Sequence, residues 1–150
     1  MSIIINPPPD LPKEGSERKE RAVTPRKKIL LVDDSSTALL LARMILQSRS
    51  YDVVTARDGA EGLEKARQVR PDLILLDVMM PRMDGIEACK RLRDDPTTAG
   101  IPIIMVTTRG EEGIAEASYA YGCNEFVTKP VDAAELIAKV QNCLGEWEAT

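Results

Sequence analysis

The sequence predicts an α/β fold: a doubly wound open sheet of five parallel strands with five helices over its two faces. Three observations carry this expectation. Ile29-Leu30-Leu31-Val32, Leu73-Ile74-Leu75-Leu76 and Ile103-Ile104-Met105-Val106 are apolar at every position, as strands buried on both faces require. Amphipathic stretches alternate with these runs over roughly 120 residues, the rhythm of βα repeats. Asp58/Glu61, Asp84/Glu87 and Asp132/Glu135 stand at capping-box spacing, which marks helix N-termini.

Residues 1–27 read as an irregular tail. Pro7-Pro8-Pro9, Pro12 and Pro25 oppose helix and sheet pairing, and residues 13–21 are a dense mixture of charges. The bland reading is a solvated extension; the sharper one is a partner-binding or localising arm. The folded domain is expected over 28–147, with 148–150 as a C-terminal end. Its first strand is 29–32, followed by a helix over about 35–48 with Leu41, Met44, Ile45 and Ser48 at helical spacing. The β-branched run 51–55 is the second strand. Asp58 opens the second helix, which ends near Val69 because Pro71 cannot continue it. After the third strand, 73–76, Asp84 heads a helix to about Asp94, and 103–106 is the fourth strand. A weaker Ala-rich helix over 111–121, with Gly110 and Gly113 at its start, precedes a short fifth strand at 125–128. Asp132 caps the last helix, which reaches about Gly145.

Composition narrows the function. At 150 residues the chain holds one ordinary domain and a tail. With 43% hydrophobic residues and only 3% aromatic ones, the core must be Leu, Ile, Val, Ala and Met. Residues 29–150 carry 13 Lys and Arg against 20 Asp and Glu. That acidic surface favours divalent cations and protein partners and argues against nucleic acid. The three cysteines, Cys89, Cys123 and Cys143, have no metal-ligand spacing and are expected as small, partly buried thiols of a reducing cytoplasm. Histidine is absent, which removes His-dependent triads, His–zinc sites and an internal phosphohistidine donor. No apolar run approaches the length that spans a bilayer, and Ile3-Ile4-Ile5 is too short for a signal-peptide core. The expected location is the cytoplasm, without membrane insertion.

Chemistry concentrates where strands are expected to end. Asp33 and Asp34 follow the first strand, Asp77 the third, Thr107 the fourth and Lys129 the fifth. In an open α/β sheet that edge binds ligands. Each residue has an ordinary explanation alone: an aspartate can cap a helix or sit in a turn, and a strand-end threonine or a surface lysine is unremarkable. Together they need another account. Two carboxylates about 4 Å apart repel by roughly 4 kcal/mol at an effective dielectric near 20, so a cluster of three requires protons or a cation. Mg²⁺ fits, since it takes oxygen ligands from one or two carboxylates plus waters and phosphate. A carboxylate beside Mg²⁺ can attack phosphorus and form an aspartyl phosphate. The phosphoryl oxygens then need a metal, an ammonium and a hydroxyl.

Four blocks carry a resemblance: Leu31-Val32-Asp33-Asp34-Ser35, Leu75-Leu76-Asp77-Val78-Met79-Met80-Pro81-Arg82-Met83-Asp84-Gly85, Val106-Thr107 and Thr128-Lys129-Pro130. Their order and spacing resemble the receiver domain of two-component response regulators over about residues 28–147. The resemblance implies a flavodoxin-like strand order, 2-1-3-4-5, and Asp77 as phosphoacceptor. It implies Mg²⁺ held by Asp34, Asp77 and the backbone carbonyl of Met79, with Asp33 acting through water. Lys129 would pair with the carboxylate and then with a phosphoryl oxygen, and its bond to Pro130 would be cis. Thr107 would close on the phosphoryl group, and Phe126 resembles the family's aromatic switch residue. Read alone, Phe126 is equally well core packing.

Some positions depart from the family pattern. Thr108 is larger than the residue usual there in the family, and its bulk would narrow the mouth of the site or change partner access. Met79 and Arg109 occupy positions that tune phosphoryl lifetime, and their pairing predicts neither fast nor slow decay. Phe126 lacks a hydroxyl, so a switch there would be driven by burial.

The reading is a single-domain response regulator, not an enzyme, phosphorylated by a separate histidine kinase or histidine phosphotransfer protein. Chemotaxis or motility control is the expected setting. No DNA-binding helix-turn-helix or attached enzyme is expected after the last helix, and output is expected through a downstream protein on the face of the fourth helix, fifth strand and fifth helix. Two other classes stay open. A Mg²⁺-dependent aspartyl phosphatase would place a second aspartate where Met79 stands, and a phosphorylation-independent interaction module would not need the intact acidic set.

Overall fold

The computed structural model describes residues 25–108, 110 and 112–146. The expectations for the tail up to residue 24, for Arg109 and for 147–150 lie outside the described residues. Five strands, β1 (Lys28–Val32), β2 (Asp52–Ala56), β3 (Leu73–Asp77), β4 (Ile103–Thr108) and β5 (Glu125–Lys129), alternate with five helices. These are α1 (Ser36–Gln47), α2 (Gly59–Val69), α3 (Gly85–Asp94), α4 (Glu112–Ser118) and α5 (Ala133–Leu144). All pairings are parallel and the order is β2-β1-β3-β4-β5, the order 2-1-3-4-5 that the resemblance implied.

Strand alternation sends each apolar run into two cores. Leu30, Val32, Ile74, Leu76, Ile103 and Met105 face the side packed with Leu63 and Ala66 of α2 and Ala88 and Leu92 of α3. Ile29, Leu31, Leu73, Leu75, Ile104 and Val106 face the opposite side, with Leu39 and Leu46 of α1 and Leu136 and Val140 of α5. This double burial is why the strands read as continuous apolar runs. The caps behave as their chemistry requires: Asp58, Asp84 and Asp132 each accept the backbone N–H three residues on, at 2.8–2.9 Å, and Ser35 caps α1 through Ala38.

Helix α1 corrects the face read from its spacing. Leu39, Ala42 and Leu46 are buried, whereas Leu41 and Met44 are exposed. The run 38–46 is apolar almost throughout, so periodicity alone admits more than one stripe, and packing on β1 and α5 selects the phase. Tyr51 lies just before β2, its ring buried and its hydroxyl donating to Glu146 at 2.8 Å. Helix α4 is the weakest element, as expected: seven residues, then a single 3₁₀ turn over Tyr119–Tyr121. Ile114, Glu116 and Ala117 are exposed, and Ser118 is buried.

Candidate functional site

The sheet's C-terminal edge gathers the residues singled out above. β1 ends at Val32, and the chain turns at Asp33, whose N–H donates to Ala56 at 3.1 Å. Its carboxylate accepts from Ser35 N–H at 2.9 Å, which fixes the turn into α1. Asp77 is the last residue of β3 rather than one beyond it, and Thr107 and Lys129 likewise lie inside β4 and β5. The reason is that the ladders continue: Asp77 pairs with Val106, Thr107 with Thr128 and Thr108 with Lys129.

Carboxylate oxygens of Asp33, Asp34 and Asp77 all lie within 4.8 Å of one another. Asp33 and Asp77 are buried, Asp77 being 3% exposed, while Asp34 faces solvent. Lys129 Nζ stands 2.8 Å from Asp33 Oδ2 and 3.6 Å from Asp77 Oδ2. One ammonium therefore faces two buried carboxylates, with a third beside them. Burial pushes the Asp77 carboxyl up to about 7; the charge on Asp33 adds to this, and Lys129 and a hydrogen bond from Met79 N–H only partly oppose it. Burial by itself would lower the Lys129 ammonium, but its hydrogen bond to Asp33 and the charges of Asp77 and Asp33 outweigh that and hold it above the ordinary lysine value. This excess of buried negative charge fits a divalent cation: three oxygen-donor groups converge on one point, and hard cations of the Mg²⁺ kind take such donors.

The switch candidates sit on the neighbouring side. Thr107 is fully buried, and its hydroxyl donates to Val127 O at 3.4 Å. Phe126 is half-buried; Tyr119 packs edge-on against it with ring centroids 6.1 Å apart, and Lys139 Nζ lies 5.3 Å over its ring. Thr108 and the Met79 side chain are exposed. The Lys129–Pro130 peptide is cis, and all three cysteines are free thiols, two of them buried.

Two supports of the site were not singled out for their role. A Cβ on Gly85 would collide with the carbonyl oxygen of Asp77 and stand 2.8 Å from Val78 Cα. Only glycine lets the first turn of α3 lie against the end of β3, where Gly85 N–H donates to Val78 O at 2.8 Å. The signal was present as Asp84-Gly85, read there only as a cap. Arg82 adopts a left-handed conformation, φ 69°, which costs a non-glycine residue on the order of 1–3 kcal/mol. Its guanidinium meets Asp58 at 3.4 Å. Nothing in the sequence marked that pairing.

The sequence profile of the response regulator receiver domain matches residues 29–141. The chain belongs to this family. As a receiver domain it resembles the alkaline phosphatase synthesis transcriptional regulatory protein PhoP of Bacillus subtilis, with 43% identity over 81% of this chain and 50% of that protein. It also resembles the polar-differentiation response regulator DivK of Brucella anthropi, with 33% identity over 80% of this chain and 98% of that one. The chain spans half or less of the length of several regulators it matches. Among solved structures, the chemotaxis protein CheY4 of Vibrio cholerae superposes with TM-score 0.75 at 35% identity, covering 80% of this receiver and all of that chain. The receiver domain of a Pseudomonas aeruginosa sensor histidine kinase, with a magnesium ion coordinated in its active-site cleft, superposes with TM-score 0.75 at 30% identity, over 81% of this chain and 100% of that one. Receiver domains of response regulators are signalling modules. No helix among the described residues is long and apolar enough to cross a membrane.

Proposed function

We propose that this receiver accepts a phosphoryl group on Asp77 and signals through altered protein contacts. The observation that carries the reading is the cluster itself: a buried Asp77 carboxylate at a strand end, grouped with Asp33 and Asp34 and 3.6 Å from the Lys129 ammonium. The Asp77 oxygen attacks phosphorus, a P–O bond forms, and the bond to the donor's leaving atom breaks with its electron pair. The donor is a histidine kinase or a histidine phosphotransfer protein, a reading supported by membership of the receiver family. Lys129 holds one charge against the developing phosphoryl oxygens, in a site where a fixed charge is worth more than in water. Asp34, Asp77 and the Met79 carbonyl would hold Mg²⁺, with Asp33 acting through water. When bound, the ion neutralises negative charge on the cluster and on the phosphoryl group.

The same reading gives Thr107 and Phe126 the switch. The Thr107 hydroxyl leaves Val127 O for the phosphoryl group, and Phe126 buries itself in the space beside β4. The surface of α4, β5 and α5 is thereby re-posed for a downstream protein. Moving such a two-state equilibrium from 1:99 to 99:1 takes about 5.5 kcal/mol of differential binding, which charge-assisted phosphoryl contacts are strong enough to supply in large part. The likeness to CheY4, a chemotaxis protein, supports motility control as the setting, and the free thiols support the cytoplasm as the location. The exposed Met79 side chain, where an aspartyl phosphatase would carry its second aspartate, weighs against hydrolysis of external substrates.

Incubation with acetyl phosphate and Mg²⁺, followed by intact-mass measurement, tests the proposal. Wild type should gain one phosphoryl group, and Asp77→Asn none. An equal adduct on both would end it.

A further inference from the structure

Away from the acidic cluster, the 3₁₀ turn after α4 presents two exposed tyrosines against α3. Tyr119 is 42% and Tyr121 43% exposed, and they line an open groove with Lys90, Asp94, Ala120 and Gly122. Lys90 Nζ lies 4.8 Å over the Tyr121 ring and makes no ion pair among the described residues. The groove has a fixed floor. Arg93 donates to Gly122 O at 2.9 and 2.7 Å, to Ile101 O at 2.6 Å, to Ala99 O at 3.0 Å and to Asn124 Oδ1 at 2.9 Å. Gly122 itself has φ 105°, and a Cβ there would strike the Arg93 side chain. The turn is thus held in place before anything binds, so an occupant loses little to ordering the receptor.

Rigid grooves lined by aromatic side chains suit one kind of segment well: a proline-rich stretch in polyproline II form, which is extended and already low in conformational entropy. This chain carries a proline-rich sequence, Pro7-Pro8-Pro9-Asp10-Leu11-Pro12, with a P-x-x-P spacing from Pro9 to Pro12 and one acid inside it. The acid matches the charge of Lys90, which no described residue meets in an ion pair. Reach is sufficient. The thirteen peptide steps from Pro12 to Pro25 span roughly 45 Å when extended. The turn leads into β5 at the same N-terminal edge of the sheet from which β1 starts, three strands away, or about 15 Å at strand spacing. Tethering also gives the segment a local concentration of order millimolar, which favours the chain's own stretch over a free peptide. The geometry points to an intramolecular docking site, in which residues 7–12 lie across the Tyr119 and Tyr121 rings with Asp10 set against Lys90. The test is run on the unphosphorylated protein, so its outcome does not depend on whether Asp77 is the acceptor.

The test compares the full-length protein with a full-length variant carrying P7S, P8S, P9S and P12S, by NMR of the tyrosine rings. The chain has three tyrosines, and Tyr51, buried and bonded to Glu146, is the internal control. In wild type, nuclear Overhauser effects should connect proline protons of residues 7–12 with the Tyr119 and Tyr121 rings. Those two ring signals should move in the serine variant while Tyr51 stays. A synthetic peptide of sequence PPPDLP, added at millimolar concentration to the serine variant, should move them back. Lys90→Glu in the wild-type tail should weaken the contacts, and Lys90→Arg should retain them. Identical Tyr119 and Tyr121 signals in wild type and serine variant would overturn the proposal. So would contacts that disappear on dilution, which would assign the groove to the tail of a second copy.

Discussion

Lys129 is bound more closely to Asp33 than to Asp77: its ammonium lies 2.8 Å from the first carboxylate and 3.6 Å from the second. In this arrangement Lys129 chiefly compensates buried charge. Lys129→Ala should therefore destabilise the metal-free protein by about 2–4 kcal/mol at pH 8, since removing one partner of a buried pair strands the other charge. The loss should be smaller at pH 5, where Asp77 takes up a proton. Urea unfolding at the two pH values measures it, and a loss independent of pH would refute the role.

The raised Asp77 carboxyl makes a signed prediction. Its folded value, about 7, lies above the usual 3.8, so the folded state holds a proton that the unfolded state releases. The resulting stability is fully present below about pH 4 and is lost as pH rises through 7. Asp77→Asn removes that loss. Without metal, the variant should exceed wild type by on the order of 1–3 kcal/mol at pH 8, with the gap closing toward pH 4. Denaturant midpoints across that range check the sign as well as the size.

A divalent cation should relieve the same repulsion. Mg²⁺ at about ten times its dissociation constant should add roughly 1.4 kcal/mol to wild-type stability. Asp34→Asn and Asp77→Asn should each abolish most of that gain, whereas Asp94→Asn, far from the cluster, should leave it intact. Thermal unfolding with and without the ion decides the matter.

Gly85→Ala should cost about 1–3 kcal/mol, in the range of overpacked cores, because its Cβ would meet the Asp77 carbonyl oxygen and Val78 Cα. The variant should also take up phosphoryl more slowly than wild type, since α3 must retreat from the end of β3. Gly100→Ala, where a Cβ meets nothing, is the control and should change neither property.

Much of this architecture was legible before any coordinates. Continuous apolar runs located β1, β3 and β4 because parallel strands are buried on both faces, and three Asp-x-x-Glu boxes located α2, α3 and α5 because each aspartate caps its helix. What periodicity could not settle was the phase of α1, where Leu41 and Met44 fit a stripe as well as Leu39, Ala42 and Leu46 do. Grouping of Asp33, Asp34, Asp77 and Lys129 was legible because all fall at the C-terminal ends of parallel strands, which lie along one edge of the sheet. The closer pairing of Lys129 with Asp33 and the left-handed Arg82 depend on side-chain and loop geometry that spacing does not encode. Gly85 was visible as a letter, but its reason lies in the approach of two backbones.

Finding the modified residue decides whether Asp77 is the acceptor. The protein is treated with acetyl phosphate and Mg²⁺, reduced with borohydride and sequenced by tandem mass spectrometry; reduction of an aspartyl phosphate leaves homoserine at the acceptor position. Homoserine is expected at position 77 alone, dependent on Mg²⁺. Homoserine at position 33 or 34, or an unmodified Asp77 beside a modified residue elsewhere, would contradict it.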